Sequence, residues 1–164
     1  MTSVDEAQAG NGYEAAYLSP GLAWTIFVLS LVGVGLSAYL FYAHLNSPAV
    51  LACPENATVN CAKVTTSPQS YFLGMPVSLL GLVFYLVFAV VNFPRLAAGR
   101  ALGLVRLVMA VGAMIFVLWL VYAELLLVGA ICLYCTGVHL VTLAIFLLVV
   151  YASVQGGLFS RRSS

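Results

Sequence analysis

Charge is what this sequence has least of. Its 164 residues hold six Lys and Arg and five Asp and Glu, 7% in all, against 63% apolar residues. A soluble domain carries about 25% charged residues, so an aqueous globular fold is excluded and the chain belongs in a bilayer. The near balance of signs, a formal net charge of +1, leaves no electrostatic footprint for nucleic acid. Basic residues are also missing from residues 1–21. The amino end therefore lacks an n-region, and the first apolar run is too long for a signal-peptide core, so it reads as a retained span.

What is abundant is long apolar sequence. Crossing a hydrocarbon core of about 30 Å takes roughly 20 apolar residues, and four stretches approach or reach that length. They are 22–42 and 76–93, both uncharged, then 107–127 with Glu124 near its far end, and 131–151 with His139 inside it. The connections after the second and third stretches are short, which favours sequential antiparallel packing. The expected fold is an all-α integral membrane protein: an up-down bundle of four transmembrane helices over residues 21–152. A capping loop, residues 43–75, is expected between the first two helices, with a mobile cytoplasmic tail at 1–20 and a short cytoplasmic tail at 153–164.

The few basic residues set the orientation. Arg95, Arg100 and Arg106 surround the second connection and Arg161 and Arg162 follow the last helix, whereas the long loop holds only Lys63. The positive-inside rule puts the arginine-bearing ends and both termini in the cytoplasm. The 43–75 loop and the turn before the last helix then face an extracytoplasmic compartment where disulfides persist. Within the loop, Tyr71 and Phe72 suit an interfacial anchor, and the stretch from Cys61 to Ser67 suits a short helix over the mouth of the bundle. Asn56-Ala57-Thr58 matches a glycosylation sequon, a pattern that arises readily by chance.

Cysteine is scarce too, and all four lie in that oxidising half: Cys53 and Cys61 in the loop, Cys132 and Cys135 at the start of the last helix. A C-x-x-C in the first turn of a helix meets unpaired backbone N–H groups and the positive end of the helix dipole, which favour an exchangeable thiolate. A loop carrying two more cysteines can swing over that turn and supply a second pair, which makes a relay. Two alternatives compete. One is a non-catalytic membrane protein with two structural disulfides, but a C-x-x-C closes so short a loop that it restrains little chain entropy. The other is a zinc site built from four thiolates; the eight-residue spacing of the loop pair and the oxidising location argue against it, and no metal is assigned.

Two ionisable residues lie inside apolar sequence. His139 follows Cys135 by four positions and shares its helical face about one turn deeper, pointing into the bundle. An intramembrane histidine is a functional candidate, against the plainer reading of a side chain bonded to a backbone carbonyl. Glu124 sits near the same surface as the cysteines, where interfacial water is within reach, and reads as structural.

The order of these features resembles the vitamin K epoxide reductase family over residues 22–152. The resemblance rests on a loop cysteine, a second one eight positions later, and a C-x-x-C opening the last helix. Ser67 six positions after Cys61, the Gly74-Met75-Pro76 entry to the second helix, and Gly81 with Tyr85 inside it add to the pattern. It implies a quinone-dependent thiol–disulfide oxidoreductase. Cys53 would exchange with a separate thioredoxin-fold thiol oxidase, Cys61 would pass electrons to Cys132, and Cys135 would sit against the ring of a menaquinone, ubiquinone or vitamin K type quinone. Ser67 and His139 would line that pocket. Animal members carry Tyr where this chain has His139 and Asn where it has Val77, so the resemblance is to bacterial members. These support disulfide formation in exported proteins from the cell membrane. Some bear a fused thioredoxin-fold domain; here only 153–164 follow the last helix, so the partner is expected as a separate chain.

Overall fold

The computed structural model describes residues 19–93 and 100–155. Helix α1 spans Pro20–Asn46, α2 Cys61–Thr65, α3 Val77–Val91, α4 Arg100–Tyr122 and α5 Leu133–Gln155. Helix α1 starts where its sequence directs: the Ser19 hydroxyl accepts from the Leu22 N–H and Pro20 occupies the first turn, where its missing N–H costs nothing. Three helices are long and apolar enough to cross a membrane, Pro20–Asn46, Ala101–Val128 and Leu133–Gln155, while Val77–Val91 is a shorter apolar helix. At 1.5 Å per residue its 15 residues extend about 22 Å. The expected stretch 76–93 is thus helical over a narrower range. Asn92 ends it, its side chain folding back onto the Phe88 carbonyl at 2.8 Å, ahead of Pro94.

Side-chain pairs fix the helix directions. Gly33 faces Tyr85 and Ser37 faces Gly81, so α1 and α3 run antiparallel. Tyr39 packs on Tyr134 and Leu36 on Gly137, so α1 and α5 do as well. The principal helix contacts join α1 to α3, α1 to α5 and α4 to α5, whereas α3 and α4 barely touch.

The buried stripe of α1 is Ala23, Ile26, Ser30, Gly33, Ser37, Leu40 and Ala43, spaced three and four apart and mostly small. Small residues let backbones approach where no hydrophobic force separates protein from lipid. Large apolar residues such as Trp24, Leu31, Val83, Ile115 and Leu147 point outward and are half exposed or more, or nearly so. A helix set that is apolar all round, with small residues inside, is built for a lipid solvent.

Several expectations fall outside the described residues: the tails at 1–18 and 156–164, and the positions of Arg95, Arg161 and Arg162. Arg106, counted among the basic residues of the connection, is 2% exposed. Its guanidinium donates to the Val91 carbonyl at 2.9 Å, satisfying an orphan acceptor at the end of α3.

Candidate functional site

The loop between α1 and α3 is stitched to the end of the bundle by backbone pairing and tyrosines. Val59 and Ile131 form an isolated parallel bridge, with Asn60 N–H donating to the Ile131 carbonyl at 3.0 Å and Ile131 N–H to the Thr58 carbonyl at 2.9 Å. The Asn56 carboxamide accepts from the N–H groups of Thr58 and Val59, so this sequon asparagine shapes the turn that reaches the bridge. The Asn60 side chain caps α2 through the Lys63 N–H at 2.8 Å. On the other side, the Tyr39 hydroxyl donates to the Val50 carbonyl at 2.8 Å and the Tyr134 hydroxyl to the Ala52 carbonyl at 3.3 Å. Cys53 is thereby held just beyond two anchored residues. The expected short helix over the mouth is present as α2, and a two-residue hairpin, β1 (Tyr71–Phe72) against β2 (Met75–Pro76), leads into α3.

Cys53 and Cys61 are joined in a disulfide with Cα atoms 6.1 Å apart. That bond removes two of the four thiolates that a zinc site would have used. Cys132 and Cys135 carry free thiols. Cys61 and Cys132, 1% and 0% exposed, belong to one buried cluster with Leu40, Leu51 and Val64, and Cys53 and Cys135 pack against it. All four cysteines are therefore neighbours, graded from the half-buried Cys53 at the loop surface through two buried sulfurs to Cys135.

Helix α5 begins at Leu133, so Cys132 lies on the turn ahead of the span and Cys135 in its first turn. The Cys135 backbone N–H points at the Cys132 sulfur at 3.3 Å, a contact that stabilises a thiolate. The Cys132 thiol is pulled below its ordinary range, first by the hydrogen bond from the Cys135 side chain; burial opposes this, and the Cys135 N–H adds to it.

Beneath the cluster is a cavity of about 440 Å³, lined by α1, the loop, α3, α4 and α5. Its walls are largely apolar, with Leu80, Phe84, Phe116 and Val117 among them, and Cys135, His139, Ser67 and Thr142 supply polar groups. The structure brings both expected pocket residues, Ser67 and His139, to this cavity. The Ser67 hydroxyl donates to the Val64 carbonyl at 2.7 Å, leaving its oxygen as an acceptor. His139 is 9% exposed.

A family model described as the vitamin K epoxide reductase family matches residues 24–150. The chain belongs to that family. Comparison with curated proteins gives no match. The match begins at Trp24 on α1 and ends at Val150 on α5, so it takes in all four cysteines and every wall of the cavity. Membership in the vitamin K epoxide reductase family points to a membrane thiol–disulfide oxidoreductase, and a bonded cysteine pair beside an unbonded one is the chemistry such an enzyme needs.

In this family member one further group stands at the site. Glu124, expected within reach of interfacial water, is 7% exposed and lines the cavity. A carboxylate oxygen and the sulfurs of Cys132 and Cys135 all lie within 4.8 Å of one another. The cause is local: after Tyr122 the helix widens into a π-turn, Ala123–Val128, closed by Gly129 at φ 65°, with the Ala130 N–H bonded to the Glu124 carbonyl at 3.2 Å. The sequence held one clue, an acid shortly before a glycine that ends the helix and the cysteine pair that follows. Helical spacing from Cys132 could not reveal it, because the residues between are not α-helical.

Proposed function

We propose that the chain is a quinone-linked thiol–disulfide oxidase of four membrane spans, with α3 as the short fourth span. It would sit in a bacterial cell membrane with both termini cytoplasmic and the cysteines outside. The observation that carries the reading is the continuous cluster of four cysteines between the loop surface and an apolar cavity.

The relay follows from burial. A thiolate of a separate thioredoxin-fold partner attacks the disulfide at Cys53, which is partly exposed, and Cys61 leaves as the thiolate. Cys61 and Cys132 share a dry cluster, so Cys61 attacks the disulfide that Cys132 forms with Cys135 in the oxidised enzyme. Cys135 is released facing the cavity; the partner's second thiol then displaces Cys53, which re-forms its bond to Cys61 and leaves Cys132 reduced beside Cys135. Two buried sulfurs in the middle keep outside thiols from short-circuiting the chain.

The residues present fit a quinone. The cavity falls within the usual range of roughly 300–1,000 Å³ for small-molecule sites, with aromatic rings from Phe84 and Phe116 and polar groups from Ser67 and His139 among its lining. A bound quinone supplies a two-electron acceptor soluble in the bilayer. Cys135 would face its ring, and Ser67 and His139 would hold its oxygens.

The test uses full-length chain in detergent, a reduced thioredoxin-fold partner, and a naphthoquinone or benzoquinone. Rapid quinone reduction that Cys135→Ala abolishes is expected. Intact disulfides with no quinone turnover would instead favour a stapled, non-catalytic membrane protein.

A further inference from the structure

We propose that Glu124 is a catalytic residue: its carboxylate takes the thiol protons of Cys132 and Cys135 as the pair is oxidised and hands them to the reduced acceptor. The proposal rests on the thiol-oxidase reading above and adds to it the route of the protons.

Oxidation of the pair converts two thiols to one disulfide, with release of two electrons and two protons. A quinone that accepts both electrons must also gain both protons to leave as a quinol. The electrons have a path through sulfur. The protons need a base next to the sulfurs and facing the acceptor, because the cavity wall around them is largely hydrocarbon. Glu124 meets both conditions. Its oxygen lies within 4.8 Å of each sulfur, it contacts the Cys135 thiol and the Cys132 N–H, and it lines the cavity. One proton moves from Cys135 to the carboxylate as Cys135 becomes the nucleophile and is then delivered to an acceptor oxygen. The carboxylate, ionised again, takes the Cys132 proton as the disulfide closes and delivers the second.

The backbone gives an independent indication. A regular α-helix would continue past Tyr122; instead a π-turn widens the chain at Ala123–Val128. Such turns are uncommon and are often found at functional sites. Here the turn places a lone carboxylate, 7% exposed, against a redox pair, where a charge without a task is costly.

The groups facing Glu124 are few. Helix α5 and the turn before it bring Cys132, Cys135 and His139, α1 brings His44 to the same cavity, and α3 brings Tyr85. Helix α2, packed on the π-turn, brings Cys61, held in its disulfide, while its Lys63 is exposed. Among the described residues, no Asp, Arg or Lys lines the cavity.

The plainer role for Glu124 is to cap the start of α5 through the Cys132 N–H. Glutamine separates the two roles, since its carbonyl oxygen still accepts that bond but takes up no proton. Full-length wild type, Glu124→Gln, Glu124→Asp and Glu124→Ala would be purified in detergent. Each would be checked for the Cys53–Cys61 disulfide and assayed two ways. First, without quinone, the alkylation rate of Cys135 in the reduced pair is followed against pH by mass spectrometry. Second, single-turnover naphthoquinone reduction is followed in H2O and D2O. The proposal expects one more coupled titration step in wild type and Glu124→Asp than in Glu124→Gln, where only the two thiols titrate. It also expects quinone reduction in Glu124→Gln to slow by on the order of 100-fold, with a larger solvent isotope effect. Glu124→Gln behaving as wild type in both assays while Glu124→Ala fails would assign the residue to capping and overturn the proposal. If wild type reduces no quinone, the oxidase reading fails, and the alkylation profile still decides whether the carboxylate shares a proton with the thiol.

Discussion

The ring of Tyr85 lies so close over Gly33 that a β-carbon at position 33 would collide with it. The two residues belong to α3 and α1, and the Tyr85 hydroxyl reaches on to Thr142 of α5 at 2.7 Å and the Val138 carbonyl at 3.1 Å. One glycine thus sets how closely three helices gather at the floor of the cavity. Ala is normally the better helix former by about 1 kcal/mol, so a gain would be expected were there room. Gly33→Ala should instead cost about 1–3 kcal/mol through overpacking, read as a lower unfolding temperature in detergent. Gly35, two positions along the same helix, has nothing within 4 Å of an added β-carbon. Gly35→Ala should therefore be neutral or stabilising, and equal losses at both sites would refute the packing account.

Cys61 and Cys132 are separated by 71 positions yet share one buried cluster. In the double variant Cys53→Ala, Cys135→Ala these are the two remaining thiols. Mild oxidation should join them within one chain, seen as a single cross-linked peptide by mass spectrometry and faster migration on a non-reducing gel. Dimers linked between chains, with no internal bond, would argue that the two sulfurs do not meet.

The Cys132 thiol is held below its ordinary range chiefly by the Cys135 side chain. A group whose folded value is depressed favours the native state fully above its unfolded pKa, about 8.5 for a thiol, and loses that contribution as pH falls through the depressed value. With the pair reduced, stability should therefore rise with pH across that window in wild type, and rise less in Cys135→Ala. Thermal unfolding of the reduced chain across that range, with thiolate absorbance as the second signal, checks the sign.

Leu73 and Gly74 take φ values of 52° and 81° at the tip of the β1–β2 hairpin. Two positive angles in a two-residue loop are the type I′ arrangement, which Asn-Gly fits best. Leu73 is 85% exposed, so little packing offsets its backbone cost. Leu73→Asn should stabilise the fold by about 0.5–1 kcal/mol, and Gly74→Ala should destabilise it by a similar amount or more. Thermal shifts of opposite sign are the expected result.

Much of the membrane architecture was legible because apolar run length and the lack of charge are strong, local signals. The redox cluster was legible because Cys53, Cys61, Cys132 and Cys135 fell in one half of the topology; His139 lines the cavity, in keeping with its helical spacing from Cys135, and Ser67 lines it too, a placement that only the family resemblance implied. What escaped depends on backbone geometry that composition does not encode. The π-turn moves Glu124 from an imagined interface to the cysteine pair. Leu73 stands where a tight hairpin turn usually has Asn, Asp or Gly. The Val59–Ile131 bridge joins two short segments with no strand signature of their own. Arg106 looked like a loop cation, and only the end of α3 beside it explains why an arginine can be buried there.

The sparse contact between α3 and α4 bears on how any greasy reactant would reach Cys135. Leu80 and Phe84 of α3 and Gly112, Ala113 and Phe116 of α4 line the cavity, and the exposed residues of both helices, such as Val83, Val87, Val108 and Ile115, are apolar, so the seam suits acyl chains better than water. Entry is then a sideways step from the lipid, driven by how crowded the reactant is within the hydrocarbon phase. Apparent Michaelis constants for such an enzyme should follow mole fraction in the micelle or vesicle. Diluting the reactant with more detergent at a fixed bulk concentration should slow turnover as surely as adding less of it.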